Sequence, residues 1–156
     1  MFRSAQNDSA GSLTRPEYRP LILINMQTKV YEGEKGGTYV GPLVDGKRHG
    51  RGKMTFTRAP YAGEYVGEWV NDEMHGQGTS RYTSGAHYVG EFRHDKKEGN
   101  GRYEFADGNV YEGAWRNDVM HGQGVFRKAN GEVFEGEFRN GNMHLVVKLT
   151  PNPTAL

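Results

Sequence analysis

Residues 65–87 read YVGEWVNDEMHGQGTSRYTSGAH, and residues 88–110 follow as YVGEFRHDKKEGNGRYEFADGNV. The pattern returns at 111–133 as YEGAWRNDVMHGQGVFRKANGEV. Tyr65, Tyr88, Tyr111 and Phe134 therefore stand 23 residues apart. Gly67, Gly90, Gly113 and Gly136 follow two residues behind them, and Trp69, Phe92, Trp115 and Phe138 follow at four. A Gly-x-Gly pair recurs in step as Gly76/Gly78, Gly99/Gly101 and Gly122/Gly124. A fixed period of this length marks a repeat architecture, in which each unit buries its apolar face only against its neighbours. An earlier copy of 26 residues begins at Tyr39, with its extra residues around 58–64. A half copy at 29–38 precedes it, and a truncated copy starts at Phe134.

Side chains alternate between the two faces of a strand. Tyr65, Gly67 and Trp69 then share one face, and Val66, Glu68 and Val70 take the other. NDEMH (71–75) reads as a polar turn, a second strand carries Gly76, Gly78, Ser80 and Tyr82 on one side, and TSG (83–85) leads into the next copy. Each repeat is thus a β-hairpin, and the hairpins chain into a meander. Sorted this way, the aromatic residues and the recurring glycines fall on one face, while the other is mostly Glu, Arg, Lys, Gln and Thr. We expect Trp69 to lie flat over Gly76 or Gly78, a ring covering a glycine that would otherwise weaken the sheet. The fold class is all-β, an elongated single-layer antiparallel meander of repeated hairpins, a solenoid-like ribbon.

The chain has 156 residues, 35% of them hydrophobic, with 23 glycines, about twice the usual ~7% share. Glycine-rich polar chains are often disordered, but periodic glycine indicates built structure. Twenty basic residues face 19 acidic ones, which gives no reason to expect nucleic acid as a partner. No cysteine is present, which excludes disulfides and thiolate chemistry. The apolar run Leu21–Ile24 is too short to span a membrane or to form a signal-peptide core, so we expect a cytoplasmic protein.

The pattern Y-x-G-x-W-x-(N/D)-x-x-x-H-G-x-G-x-x-x-(Y/F), held over roughly residues 29–144, resembles the MORN (membrane occupation and recognition nexus) repeat. Pro42 stands where later copies have Glu or Ala, Glu98 replaces the recurring histidine, and Leu145 replaces a glycine. We divide the chain into a flexible arm (1–28), a repeat domain (29–149) and a tail (150–156). The domain holds the half repeat 29–38, repeats starting at 39, 65, 88 and 111, a truncated repeat from 134, and a closing strand at 145–149. The resemblance implies a scaffold in a cytoskeletal, ciliary, flagellar or membrane-junction setting.

Catalytic signatures are missing. No G-x-S-x-G, Walker-type loop or H-E-x-x-H is present, and the Gly-x-Gly pairs fall within strands, so no enzyme activity and no cofactor are expected. His49, His75, His121 and His144 share one repeat position, but successive hairpins would hold their rings about 10 Å apart, too far to share a metal ion. The aromatic face is the stronger candidate. Tyr65, Trp69, Tyr82, Tyr88, Phe92, Tyr103, Tyr111, Trp115, Phe134 and Phe138 would line a groove for a partner's amphipathic helix or extended peptide. Two alternatives stand beside this protein-interaction scaffold. Lys47, Arg48, Arg51, Lys53 and Arg58 would make weak contact with an acidic phospholipid surface. Leu145, Val146, Val147 and Leu149 would form a self-association edge, giving a homodimer or larger assembly.

Overall fold

Alternation of buried and exposed residues commits each strand of this chain to one inner and one outer face. The computed structural model describes residues 26–32, 36–59 and 62–149. Its strands are β1 (Gln27–Tyr31), β2 (Gly37–Gly41), β3 (Leu43–Val44), β4 (Lys47–Arg48), β5 (Gly50–Phe56), β6 (Gly63–Val70) and β7 (Glu73–Tyr82). They continue as β8 (His87–Arg93), β9 (Lys96–Glu104), β10 (Val110–Arg116), β11 (Val119–Arg127), β12 (Val133–Arg139) and β13 (Asn142–Leu149). Eleven of them form one antiparallel sheet in chain order, with β1 and β13 at the edges. Spacings of ~4.8 Å put those edges about 48 Å apart along the sheet. The all-β hairpin ribbon expected from the period is the architecture observed. In the first hairpin, Pro42 has no N–H to give the ladder, and β3 and β4 continue beyond it as a separate two-stranded ribbon.

The turns are tighter than the polar stretch 71–75 suggests. Only Asn71 and Asp72 form the turn, both at positive φ (50° and 73°), while Glu73–His75 already belong to β7. His94-Asp95, Asn117-Asp118, Asn140-Gly141 and Asp45-Gly46 repeat this geometry. It matches the twist of paired strands, which is why Asn, Asp and Gly recur there. The turns also stack. The Asp72 amide donates to the Arg48 carbonyl (3.0 Å), and Asp118 does the same to Lys97 (3.1 Å).

A bulge divides each of the three 23-residue hairpins. Gly67 faces Gly78 and Glu68 faces His75, so Gly76 and Gln77 have no partner on β6. Gly76 takes φ +58°, and the Glu68 carboxylate accepts the Gln77 amide at 3.0 Å. Glu91 caps the next bulge in the same way, accepting the Asn100 amide at 2.8 Å. These two extra residues correct the expected position of the ring over glycine. Tyr65, rather than Trp69, lies over the facing pair Gly67 and Gly78. Trp69 instead faces Gly50 of the preceding hairpin and Met74 of its own, and Gly76 faces Phe92.

The truncated repeat and the expected closing strand at 145–149 are one hairpin, β12 with β13, whose last strand runs without a break from Asn142. Strand β1 opens the domain at Gln27, within the expected arm. Residues 1–25, with the apolar run at 21–24, and the tail at 150–156 lie outside the described residues.

Candidate interaction groove

Tyr39, Tyr65, Tyr88 and Tyr111 are fully buried on the aromatic face, each over a glycine pair of its own hairpin. Their hydroxyls donate to the carbonyls of Pro42, Glu68, Glu91 and Ala114 at 2.8–3.0 Å. Between them stand Trp69, Phe92 and Trp115, each meeting a tyrosine on either side edge-to-face, and Phe138 closes the row against Tyr111. Centroid distances run from 5.6 Å for Tyr39–Trp69 to 4.9 Å for Tyr111–Phe138. Edge-to-face pairs at this spacing add ~0.5–1.5 kcal/mol each beyond area burial. This ring zipper is the core of the ribbon. Cations cover its tryptophans: the Arg48 guanidinium lies 4.2 Å from the Trp69 ring, and Lys97 Nζ lies 5.6 Å from that of Trp115. Met74 and Met120 hold the same repeat position as Arg48 and Lys97, and both pack on the core.

Burial of these hydroxyls makes the fold sensitive to alkali. Loss of solvation pushes Tyr39 and Tyr111 up to about 12 and also raises Tyr65 and Tyr88. An unfolded tyrosine ionises near pH 10. Stability is therefore complete below ~pH 10 and is lost as pH climbs from there through the raised folded values. Tyrosinate absorbance and far-UV circular dichroism should change together in one steep alkaline transition. Ionisation of all tyrosines near pH 10 with the sheet intact would contradict this.

The ten aromatics expected in the groove divide into two groups. Tyr65, Trp69, Tyr88, Phe92, Tyr111, Trp115 and Phe138 are buried in the zipper, whereas Tyr82, Tyr103 and Phe134 are half-exposed. A groove of about 480 Å³ opens over β5–β9, within the usual ~300–1,000 Å³ of ligand pockets. Phe56, Met74, Tyr82 and Tyr103 stand around it, and Trp69, Ser80 and Phe92 form its base. Its charged rim is internally paired at Lys97–Asp118 (3.2 Å), and Arg48 is held by Asp72 (3.1 Å). Burial pushes the Asp72 carboxyl up, but hydrogen bonds from the Arg48 amide and guanidinium overcome this and hold it below its ordinary value.

The five basic residues do not converge. Arg48 is on the aromatic face, while Arg51 and Lys53 alternate with buried Gly52 and Met54 and so point to the opposite one. Lys53 pairs with Glu64 at 2.5 Å. Lys47 precedes Arg48 in β4, and Arg58 lies beyond the far end of β5. On edge strand β13, Leu145, Val147 and Leu149 are 66%, 63% and 41% exposed, and Val146 turns inward against the core. The Glu132 carboxylate, held by Lys148 and Lys128, is drawn down to about 2. Among the repeat-position histidines, the His75 ring contacts that of His94 at 5.9 Å, and His94 Nδ1 lies 2.8 Å from the Glu73 carboxylate.

A family model of the MORN repeat matches residues 39–58, 65–87, 88–110, 111–133 and 134–144. The chain belongs to the MORN-repeat family. Each matched unit begins at the leading aromatic, one or two residues inside the first strand of its hairpin, and the first ends where the extra residues of its loop start. Comparison with curated proteins finds no match. MORN repeats are in general modules for interaction with proteins or membranes, and the repeat is a non-catalytic unit. No helix among the described residues is long and apolar enough to cross a membrane.

Proposed function

We propose that this MORN ribbon is a non-catalytic scaffold or adaptor that receives a segment of a partner protein, an amphipathic helix or an extended peptide, along its aromatic face. The observation that carries this reading is the open groove between Phe56, Met74, Tyr82 and Tyr103. The zipper rings beneath it are occupied in holding the fold, so the half-exposed rim makes the contacts. Tyr and Trp are favoured anchors at such interfaces. A cytoskeletal or flagellar setting follows only from family resemblance.

Capture from native lysate, read by mass spectrometry, tests it. A Tyr82→Asp variant places a charge on the rim and should lose a captured partner by about tenfold or more, equivalent to ~1.4 kcal/mol. A Val89→Asp variant on the opposite, exposed face should retain it. Both should unfold near the wild-type temperature. Equal capture by all three proteins would remove the groove reading.

A second reading, self-association, draws on strand β13. An edge with exposed apolar side chains is a template for pairing with another copy. Mass measured by light scattering, with Leu145→Lys and Val147→Lys as controls, decides it: a dimer in the wild type reduced to monomer in the variants would support it.

A further inference from the structure

One column of the repeat has a gap. The residue fifteen places after each leading tyrosine is Met54, Ser80, Tyr103 and Phe126 in successive repeats. All four hold the same register, each lying between two leading aromatics. Ser80 faces Tyr65 and Tyr88, and Tyr103 faces Tyr88 and Tyr111. The filled positions show how this column packs. The Tyr103 ring rests 5.8 Å from Trp115 of the following repeat and 6.2 Å from Tyr82 of the preceding one. The Phe126 ring meets Phe105 of its preceding repeat at 5.9 Å. A ring at position 80 would meet Phe92 ahead and Phe56 behind by the same rule. The side chain there is a serine, 6% exposed at the base of the groove, and Phe56, Tyr82, Phe92 and Tyr103 stand around it.

We infer that the gap above Ser80 is a socket for one aromatic side chain of a partner. The inference rests on the proposed role of the groove and names its anchor. The chemistry of the occupant is read from the protein's own repeats, because a tyrosine and a phenylalanine fill the next two equivalent sites. The walls are ring edges and faces that pair edge-to-face with an aromatic guest more favourably than with an aliphatic one of similar size.

Small probes test the socket without a partner. The isotope-labelled full chain is titrated with indole and, separately, with isobutanol, and amide shifts are followed by NMR. Indole should produce saturable shifts at Ser80, Tyr82 and Phe92, with isobutanol weaker by about tenfold or more. Ser80→Phe plugs the socket in cis as Phe126 does and should abolish indole binding without lowering the unfolding temperature. Ser80→Leu is a smaller plug with the same expected loss. Absence of saturable shifts at Ser80, equal binding of the two probes, or unchanged indole binding in both plugged variants would overturn the socket. Indole binding with no partner captured would uphold the socket and remove the groove reading. Capture sensitive to Tyr82→Asp without indole binding would do the reverse.

Discussion

A Tyr88→Ala variant should lose about 3–5 kcal/mol of stability, the range for deleting a buried large aromatic side chain. For a domain of this size that lowers the unfolding temperature by roughly 10–15 °C. Tyr88 is fully buried, meets Phe92 and Trp115 edge-to-face at 5.1 and 5.3 Å, and covers Gly90 and Gly101. Alanine removes both ring contacts and leaves the glycine backbone bare. The loss falls in the middle of a ribbon whose repeats touch only their neighbours, so it weakens the coupling between the two halves as well as one unit. Tyr88→Phe separates ring from hydroxyl. It removes only the 3.0 Å bond to the Glu91 carbonyl and should cost about 1 kcal/mol. Thermal unfolding followed by circular dichroism and by tryptophan fluorescence reads both.

Adding one methyl group at Gly101 should be nearly as damaging, at about 2–3 kcal/mol, the upper part of the range for overpacking a tight core. A Cβ there would lie under 3.0 Å from the Tyr88 ring and hydroxyl, well inside contact distance. Neither neighbour can yield easily, because the ring is clamped by its two aromatic partners. The opposing term is small: alanine restricts the unfolded chain more than glycine does, by ~0.4–1 kcal/mol. Gly85 is the control. A Cβ there meets nothing within 4 Å, but its φ is +93°, so Gly85→Ala reports backbone strain alone. Equal costs at the two sites would show that the ring over Gly101 is not what demands glycine there.

Much of this architecture can be read from the period. Tyrosine, glycine and tryptophan two residues apart place all three on one face, and strand β6 buries Tyr65, Gly67 and Trp69 in that order. The pairing of ring with glycine was also legible, but not which ring. The bulge at Gly76 and Gln77 inserts two residues, so partners counted back from the turn are two positions off beyond it. Burial was the other hidden quantity. Ten aromatics on one face suggest a sticky surface, yet whether rings face a partner or one another depends on offsets between neighbouring strands. The edge-to-face zipper uses up seven of them. The socket did leave a signal, since Ser80 breaks a column of Met54, Tyr103 and Phe126. A small residue in a bulky column reads as unremarkable until the register sets it between Tyr65 and Tyr88, at the base of the groove.

The central claim is that a tyrosine ring seated on a glycine pair holds each hairpin, and a double-mutant cycle between Tyr88→Ala and Gly101→Ala tests it most directly. With the ring gone, the atoms that the added methyl strikes first are removed. The cost of Gly101→Ala should therefore fall from about 2–3 kcal/mol to near zero, a coupling at the upper end of that seen for residues in contact. An undiminished cost of Gly101→Ala in the Tyr88→Ala background would contradict the account.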